Sequence, residues 1–202
     1  MRLIAFLTIS LFLFTAGCSK APQEKTITLV NAAAVDALQL ERLRTFAESE
    51  LHVPVRTVEN PKLAGKKNFN ALEKAARRSK TNADVCLIVL AGFNGELRHL
   101  AVYAKSGIAL INTQPLYTAD EETFARRIER QVMRASAFSF GLTPTPDPFC
   151  VTRDYTSLED LDSMGRNFSP PWQSRFAEEA EKRGLIPLDA AGEKSVIAPP
   201  VQ

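Results

Sequence analysis

The sequence is poor in the residues from which catalytic centres and covalent cross-links are usually made. Its 202 residues include three cysteines, two histidines and one tryptophan. Three cysteines cannot build the disulfide framework that holds many small secreted domains together. His52 and His99 cannot supply a three-histidine metal site within one chain, and they leave few routes to a hydrolytic centre based on an imidazole. Charge of one sign is also missing. Lys and Arg together number 25 against 23 Asp and Glu, a formal net charge of +2, so the basic excess of a nucleic-acid-binding surface is absent. No apolar run reaches the roughly twenty residues that span a bilayer as a helix. What remains is ordinary globular composition, 45% hydrophobic and 24% charged, in a chain long enough to bury a core without staples.

The longest apolar stretch, LIAFLTISLFLF from Leu3 to Phe14, follows Met1-Arg2 and has the length of a secretory signal peptide's apolar region. Thr15-Ala16-Gly17-Cys18 then resembles a bacterial lipobox, whose cysteine is lipidated and becomes the new N-terminus. An ordinary signal peptide would leave Cys18 there by chance. Acyl chains on Cys18 would hold the chain to a membrane surface, at about 0.8 kcal/mol per buried methylene. Ser19 and Lys20 carry no acidic signal for inner-membrane retention, so the expected place is the outer membrane facing the periplasm. In this reading residues 1–17 are the signal peptide, 18–25 a lipidated tether, 26–185 the folded domain and 186–202 a disordered tail.

Within the domain, TITLV at 26–30 and the alternating Val53–Val58 read as strands, and Asp84–Ala91 as a strand buried on both faces. Cys86 inside it reads as a small core residue. Helical spacing runs through Val35–Leu51 and Asn70–Ser79. LRHLAVYA (97–104) and IALINT (108–113) form an expected hairpin around Gly107, with His99 as a packing residue of its first strand. Thr118 and Glu121 read as a capping box before Phe124, Ile128, Val132, Ala135 and Phe138, and Gly141 as the left-handed stop. TPTPDPFC cannot continue a helix. Ser169 and Pro170 start a last helix that Gly184 closes. The expectation is an α+β (mixed α/β) fold with a small mixed sheet, three to four helices and a Pro-rich C-terminal subdomain.

The segments QVMRASAFSFGLTPTPDPFCV (131–151) and SLEDLDSMGRNFSPPW (157–172) resemble the archaemetzincins, small zinc metallopeptidases of the metzincin group. That family carries HExxHxxGxxHC, a C-x-M four residues later and a CxxC about seventeen residues beyond. Two histidines one helical turn apart face the zinc, and the glutamate is the general base. The register is set here by Phe140-Gly141-Leu142, Pro146-Asp147-Pro148, Cys150-Val151 and Asn167-Phe168. It places Arg134, Phe138 and Pro144 at the three histidine positions and Ala135 at the glutamate. Thr145, Cys150, Pro170 and Gln173 fall where the family binds a structural zinc, and Thr152 where it has methionine.

The resemblance therefore implies a metzincin-like domain without the family's chemistry. Arginine does not deprotonate to bind metal, phenylalanine and proline offer no donor, and alanine cannot act as a base. Asp147, Asp154, Glu159, Asp160 and Asp162 would suit a hard cation, but such spacing is also that of a solvated turn or helix N-terminus, and no cofactor is expected. An oxidising envelope would permit a Cys86–Cys150 bridge, against which stands the burial of Cys86's strand. Phe138 at a ligand position implies that apolar packing fills the metal cavity, and Arg134 reads as a surface charge, an internal salt-bridge partner or a docking point for a carboxylate. The expected function is a lipid-anchored, non-catalytic domain that binds an envelope protein or peptide, with no nucleic acid. A metallopeptidase with unconventional ligands and a purely structural envelope lipoprotein are the alternatives.

Overall fold

The computed structural model describes residues 24–188. The segment read as a signal peptide, Cys18 and nearly all of the expected tether lie outside them, as do the residues beyond Leu188. The first half of the domain alternates strand and helix: β1 (Thr26–Asn31), α1 (Ala37–Leu51), β2 (Val55–Glu59), α2 (Phe69–Ser79) and β3 (Asp84–Ala91). The hairpin β4 (Leu100–Tyr103) and β5 (Ile108–Asn112) follows, then α3 (Glu121–Ser139), α4 (Leu158–Ser163) and α5 (Pro170–Lys182). The strands form one sheet in the order β2-β1-β3-β5-β4. All neighbours are parallel except β4, which runs antiparallel to β5 at the edge.

Burial on both faces accounts for the unbroken apolar run of β3. Ile27, Leu29, Cys86, Ile88 and Ile111 pack toward α1, α3 and α5. Val30, Leu87, Val89 and Leu110 pack toward α2 on the other side. Helix starts follow capping chemistry. Asp36 accepts from Leu38 N and Gln39 N at α1, and Asn68 accepts from Ala71 N at α2. At α5 Ser169 holds the N-cap position without a side-chain capping bond, Pro170 opens the helix, and Gly184 follows its end at φ +82°.

Several expected boundaries move. The N-cap of α3 is Asp120, whose carboxylate accepts from Thr123 N at 2.9 Å. Thr118 instead accepts from Asp120 N. The helix therefore begins three residues after Thr118, with Glu121 and Glu122 at the positive end of its dipole. The first hairpin strand begins only at Leu100, because Leu97 is turned out to solvent. Among the described residues five α-helices stand where three to four are expected; the additional one is the six-residue α4, capped by Ser157.

The largest departure from a simple amphipathic reading is α3. Its apolar stripe faces the sheet, but its polar side is also buried, including Arg127, Glu129, Arg130, Gln131 and Arg134. The segment between α3 and α5 lies over that side. Arg127 pairs with Asp162 at 2.6 Å and donates through Nη1 to the Leu116 carbonyl. Arg130 donates through Nε and Nη2 to the Met164 carbonyl at 3.2 and 3.0 Å, and through Nη2 to the Asp162 carbonyl at 2.9 Å. Glu129 holds both Arg42 of α1 and Arg166 of the covering segment. Gly165 is required where this segment crosses itself, since a Cβ there would lie 1.8 Å from the Phe149 carbonyl oxygen.

Candidate functional site

Two of the sequence-derived positions, Arg134 and Phe138, meet in a cleft of about 490 Å3 between the β4 edge and the C-terminal half of α3. Arg134 and Phe138, one helical turn apart, line its α3 wall, and Leu100 and Val102 line its strand wall. Tyr155, from the segment after α3, and His99, just before β4, close the floor.

Arg134 is 7% exposed and pairs with no carboxylate among the described residues. Its guanidinium carbon lies 5.1 Å from the Phe138 ring centroid and 4.9 Å from that of Tyr155. Nη1 donates to the Val151 carbonyl at 2.9 Å and to the Arg153 carbonyl. Arg134 is thus neither a surface charge nor half of an internal ion pair. It is a buried cation held by rings and backbone oxygens. Burial draws it below the usual arginine range, yet a guanidinium stays charged.

Tyr155 joins the rest. Its hydroxyl lies 2.6 Å from His99 Nδ1 and receives a hydrogen bond from Gln131 Nε2 at 2.8 Å. The His99 and Tyr155 rings stack, 5.6 Å apart and inclined by 13°. Burial first, then the charges of Arg127 and Arg134, lower the His99 pKa below the ordinary histidine value. The shift favours the neutral imidazole, whose tautomer sets the direction of the bond between Nδ1 and the tyrosine hydroxyl. Burial raises the Tyr155 pKa, opposed by Arg134 and by the Gln131 hydrogen bond. Gln131 Oε1 is buried without a partner among the described residues. Gln131 and Tyr155 carry no motif and are missed by sequence reasoning; the one available signal is that Gln131 stands a helical turn before Arg134.

The other expected positions disperse. Ala135 is fully buried in the core on another side of α3, and Pro144 is exposed in the following loop. Cys150 Sγ is buried, receives the Ser169 N–H at 3.3 Å and lies 3.1 Å from Thr152 Oγ1. Pro170 directly follows Ser169, so this cysteine sits against the start of α5. Thr145 accepts from Asp147 N, and Gln173 Nε2 reaches the Glu50 carbonyl of α1 at 3.0 Å. Hydrogen bonds and packing occupy this corner. Cys86 and Cys150 are both free thiols, not a bridge, and burial pushes Cys86 up to about 11.

Among the described residues, no group of three or more His, Cys, Asp or Glu side chains converges as a metal site would. Three of the acidic residues after α3 are otherwise engaged: Asp162 with Arg127, Asp160 with Arg153, and Asp147 with the Phe149 N–H.

No family model and no curated protein sequence matches the chain. The match comes from solved structures. Archaemetzincin from Methanopyrus kandleri superposes with a TM-score of 0.63 at 16% identity, covering 81% of this chain and 99% of that one. The chain has the archaemetzincin fold. A zinc-dependent peptidase from Methanocorpusculum labreanum gives a TM-score of 0.59, and archaemetzincin from Archaeoglobus fulgidus complexed with malonate gives 0.58. Each is 16% identical and covers 74% of this chain and 99% of its own.

The archaemetzincin fold implies zinc, and the residues in this cleft do not fit it. Divalent zinc requires converging nitrogen, sulfur or carboxylate donors. The α3 wall instead presents a cationic guanidinium and a phenyl ring, with His99 as the one imidazole lining the cleft.

Proposed function

We propose that this chain is a membrane-anchored bacterial lipoprotein whose archaemetzincin-fold domain binds an extended segment of a protein or peptide and does not cleave it. The observation that carries the reading is the Arg134 guanidinium, buried between Phe138 and Tyr155 in the cleft beside β4. A guanidinium offers no lone pair to a metal, so the position from which a zinc peptidase would hold the ion that activates its water holds a fixed cation instead.

The geometry of β4 supports binding. His99 O accepts from Asn112 N, and β4 pairs Leu100 with Ile111 and Val102 with Ala109. Alternation along an antiparallel ladder then turns the backbone N–H and C=O of Leu100 and Val102 toward the free edge. The same two residues line the cleft with their side chains. An extended segment can add to such an edge through its main chain, with the cleft reading its side chains.

The lipid anchor rests on the pattern from Met1 to Cys18. Among the described residues no helix is long and apolar enough to cross a membrane. The anchor implies an extracytoplasmic domain, with the outer membrane as its site.

The test is a degenerate decapeptide array probed with the full chain in detergent, followed by mass spectrometry of retained peptides. Retention of intact peptides, with slowed amide exchange at Leu100 and Val102, is the expected result. Peptides recovered as two fragments would overturn the non-catalytic reading, and no retention at all would overturn the binding reading.

A further inference from the structure

Three buried arginines on α3 are built alike, and one is left incomplete. Arg127 uses its Nε–Nη2 edge on Asp162, and Arg130 uses the same edge on the Met164 and Asp162 carbonyls. In Arg134 only Nη1 is engaged, by the Val151 and Arg153 carbonyls. Its Nε and Nη2 donors make no hydrogen bond among the described residues, although the side chain lines the cleft.

We infer that the Nε–Nη2 edge of Arg134 is a docking fork for a carboxylate on the segment that the cleft receives, an inference that rests on the binding reading above. The fork matches a planar carboxylate with two parallel N–H···O bonds. It is preorganised, since the two carbonyls and the flanking Phe138 and Tyr155 rings fix the guanidinium before any ligand arrives. It lacks an internal competitor among the described residues, none of the acidic ones lining the cleft. Asp154 is near enough to act on Arg134 electrostatically but is exposed and makes no ion pair with it. Leu100 and Val102 on the opposite wall would hold the same segment by its backbone, so the carboxylate is reached from a strand lying on the β4 edge.

Two sources can present this chemistry: the C-terminal carboxylate of a peptide, or an Asp or Glu side chain within one. Binding of three acetylated hexapeptides to the full chain in detergent separates them, with NMR of the Arg134 Nε–Hε signal and of the Leu100 and Val102 amides. The first is an all-neutral sequence with a free C-terminus, the second its C-terminal amide, and the third that amide with one internal Glu. The inference expects either acid to bind at least about tenfold tighter than the neutral amide and to shift the Arg134 signal. The tighter acid identifies the source. Substitution Arg134→Lys, which keeps the charge and removes the fork, should abolish the preference. Equal binding of all three, with the β4 amides shifted, overturns the fork and leaves the cleft reading standing. A response of Arg134 to malonate alone, with no peptide bound, supports the fork and overturns the peptide reading. Silence of every signal overturns both.

Discussion

Replacing Arg130 tests whether buried arginines hold the covering segment onto α3. Arg130 is 6% exposed, and its three hydrogen bonds end on the Met164 and Asp162 carbonyls. No carboxylate pairs with it directly among the described residues, and burial, only partly offset by the Asp162 and Glu129 charges, lowers its pKa below the usual arginine range. Arg130→Met keeps most of the aliphatic stem and removes the charge, so the desolvation cost of the guanidinium is recovered. What is lost is the satisfaction of two carbonyls, at about 1–3 kcal/mol for each buried group left unpaired. The expected destabilisation is about 2–4 kcal/mol, or roughly 5–15 °C in Tm for a domain of this size. Urea unfolding measures it, with Arg126→Met as the control. Arg126 is 52% exposed and pairs with Glu122 on the helix surface, a contact worth about 0.5 kcal/mol or less. If Arg130→Met lies within 0.5 kcal/mol of that control, the covering segment is not held by its arginines and the reasoning fails.

Other outcomes follow from single contacts. Gly165→Ala should cost more than about 3 kcal/mol in the same assay, because the added Cβ meets the Phe149 backbone at 1.8 Å; a loss below 1 kcal/mol would show that the crossing yields easily. The folded His99 pKa is lowered, so the unfolded chain binds the extra proton first. Stability should therefore be complete above about pH 6.5 and fall as the pH drops toward 5, and His99→Gln should flatten that decline in a Tm–pH series. Native Cys86 and Cys150 should resist iodoacetamide at pH 8 and react in 6 M guanidinium, read by peptide mapping, since both are buried free thiols. Rapid native labelling of either would contradict their burial.

The legible parts of the fold are those decided by local chemistry. The continuous apolar run of β3 announces a doubly covered strand, Ser169-Pro170 starts α5, and Gly184 closes it in the left-handed conformation. The helix-and-loop spacing around Gly141 carries the resemblance that the solved archaemetzincins bear out at the level of fold. What is illegible is long-range and polar. No local pattern foretells that α3 is buried on its charged side, because the cover comes from residues up to 37 positions away, as in Arg166 on Glu129. The His99–Tyr155 contact spans 56 positions, and Tyr155 lies in an irregular stretch with no periodicity to read. Arg134 was legible as a residue that cannot bind zinc, but its role required knowing that carbonyls 17 and 19 positions later would meet it.

The central claim is that arginine and ring contacts, not a metal, organise this archaemetzincin-fold cleft. Metal content of the purified full chain by mass spectrometry tests it most directly, with Tm recorded in chelator and in added zinc. The account predicts less than about a tenth of an equivalent of zinc and no change in Tm in either condition, since a ligand that binds the folded state tightly must raise it. Near one zinc per chain, removed by chelator with a drop in Tm, would contradict it.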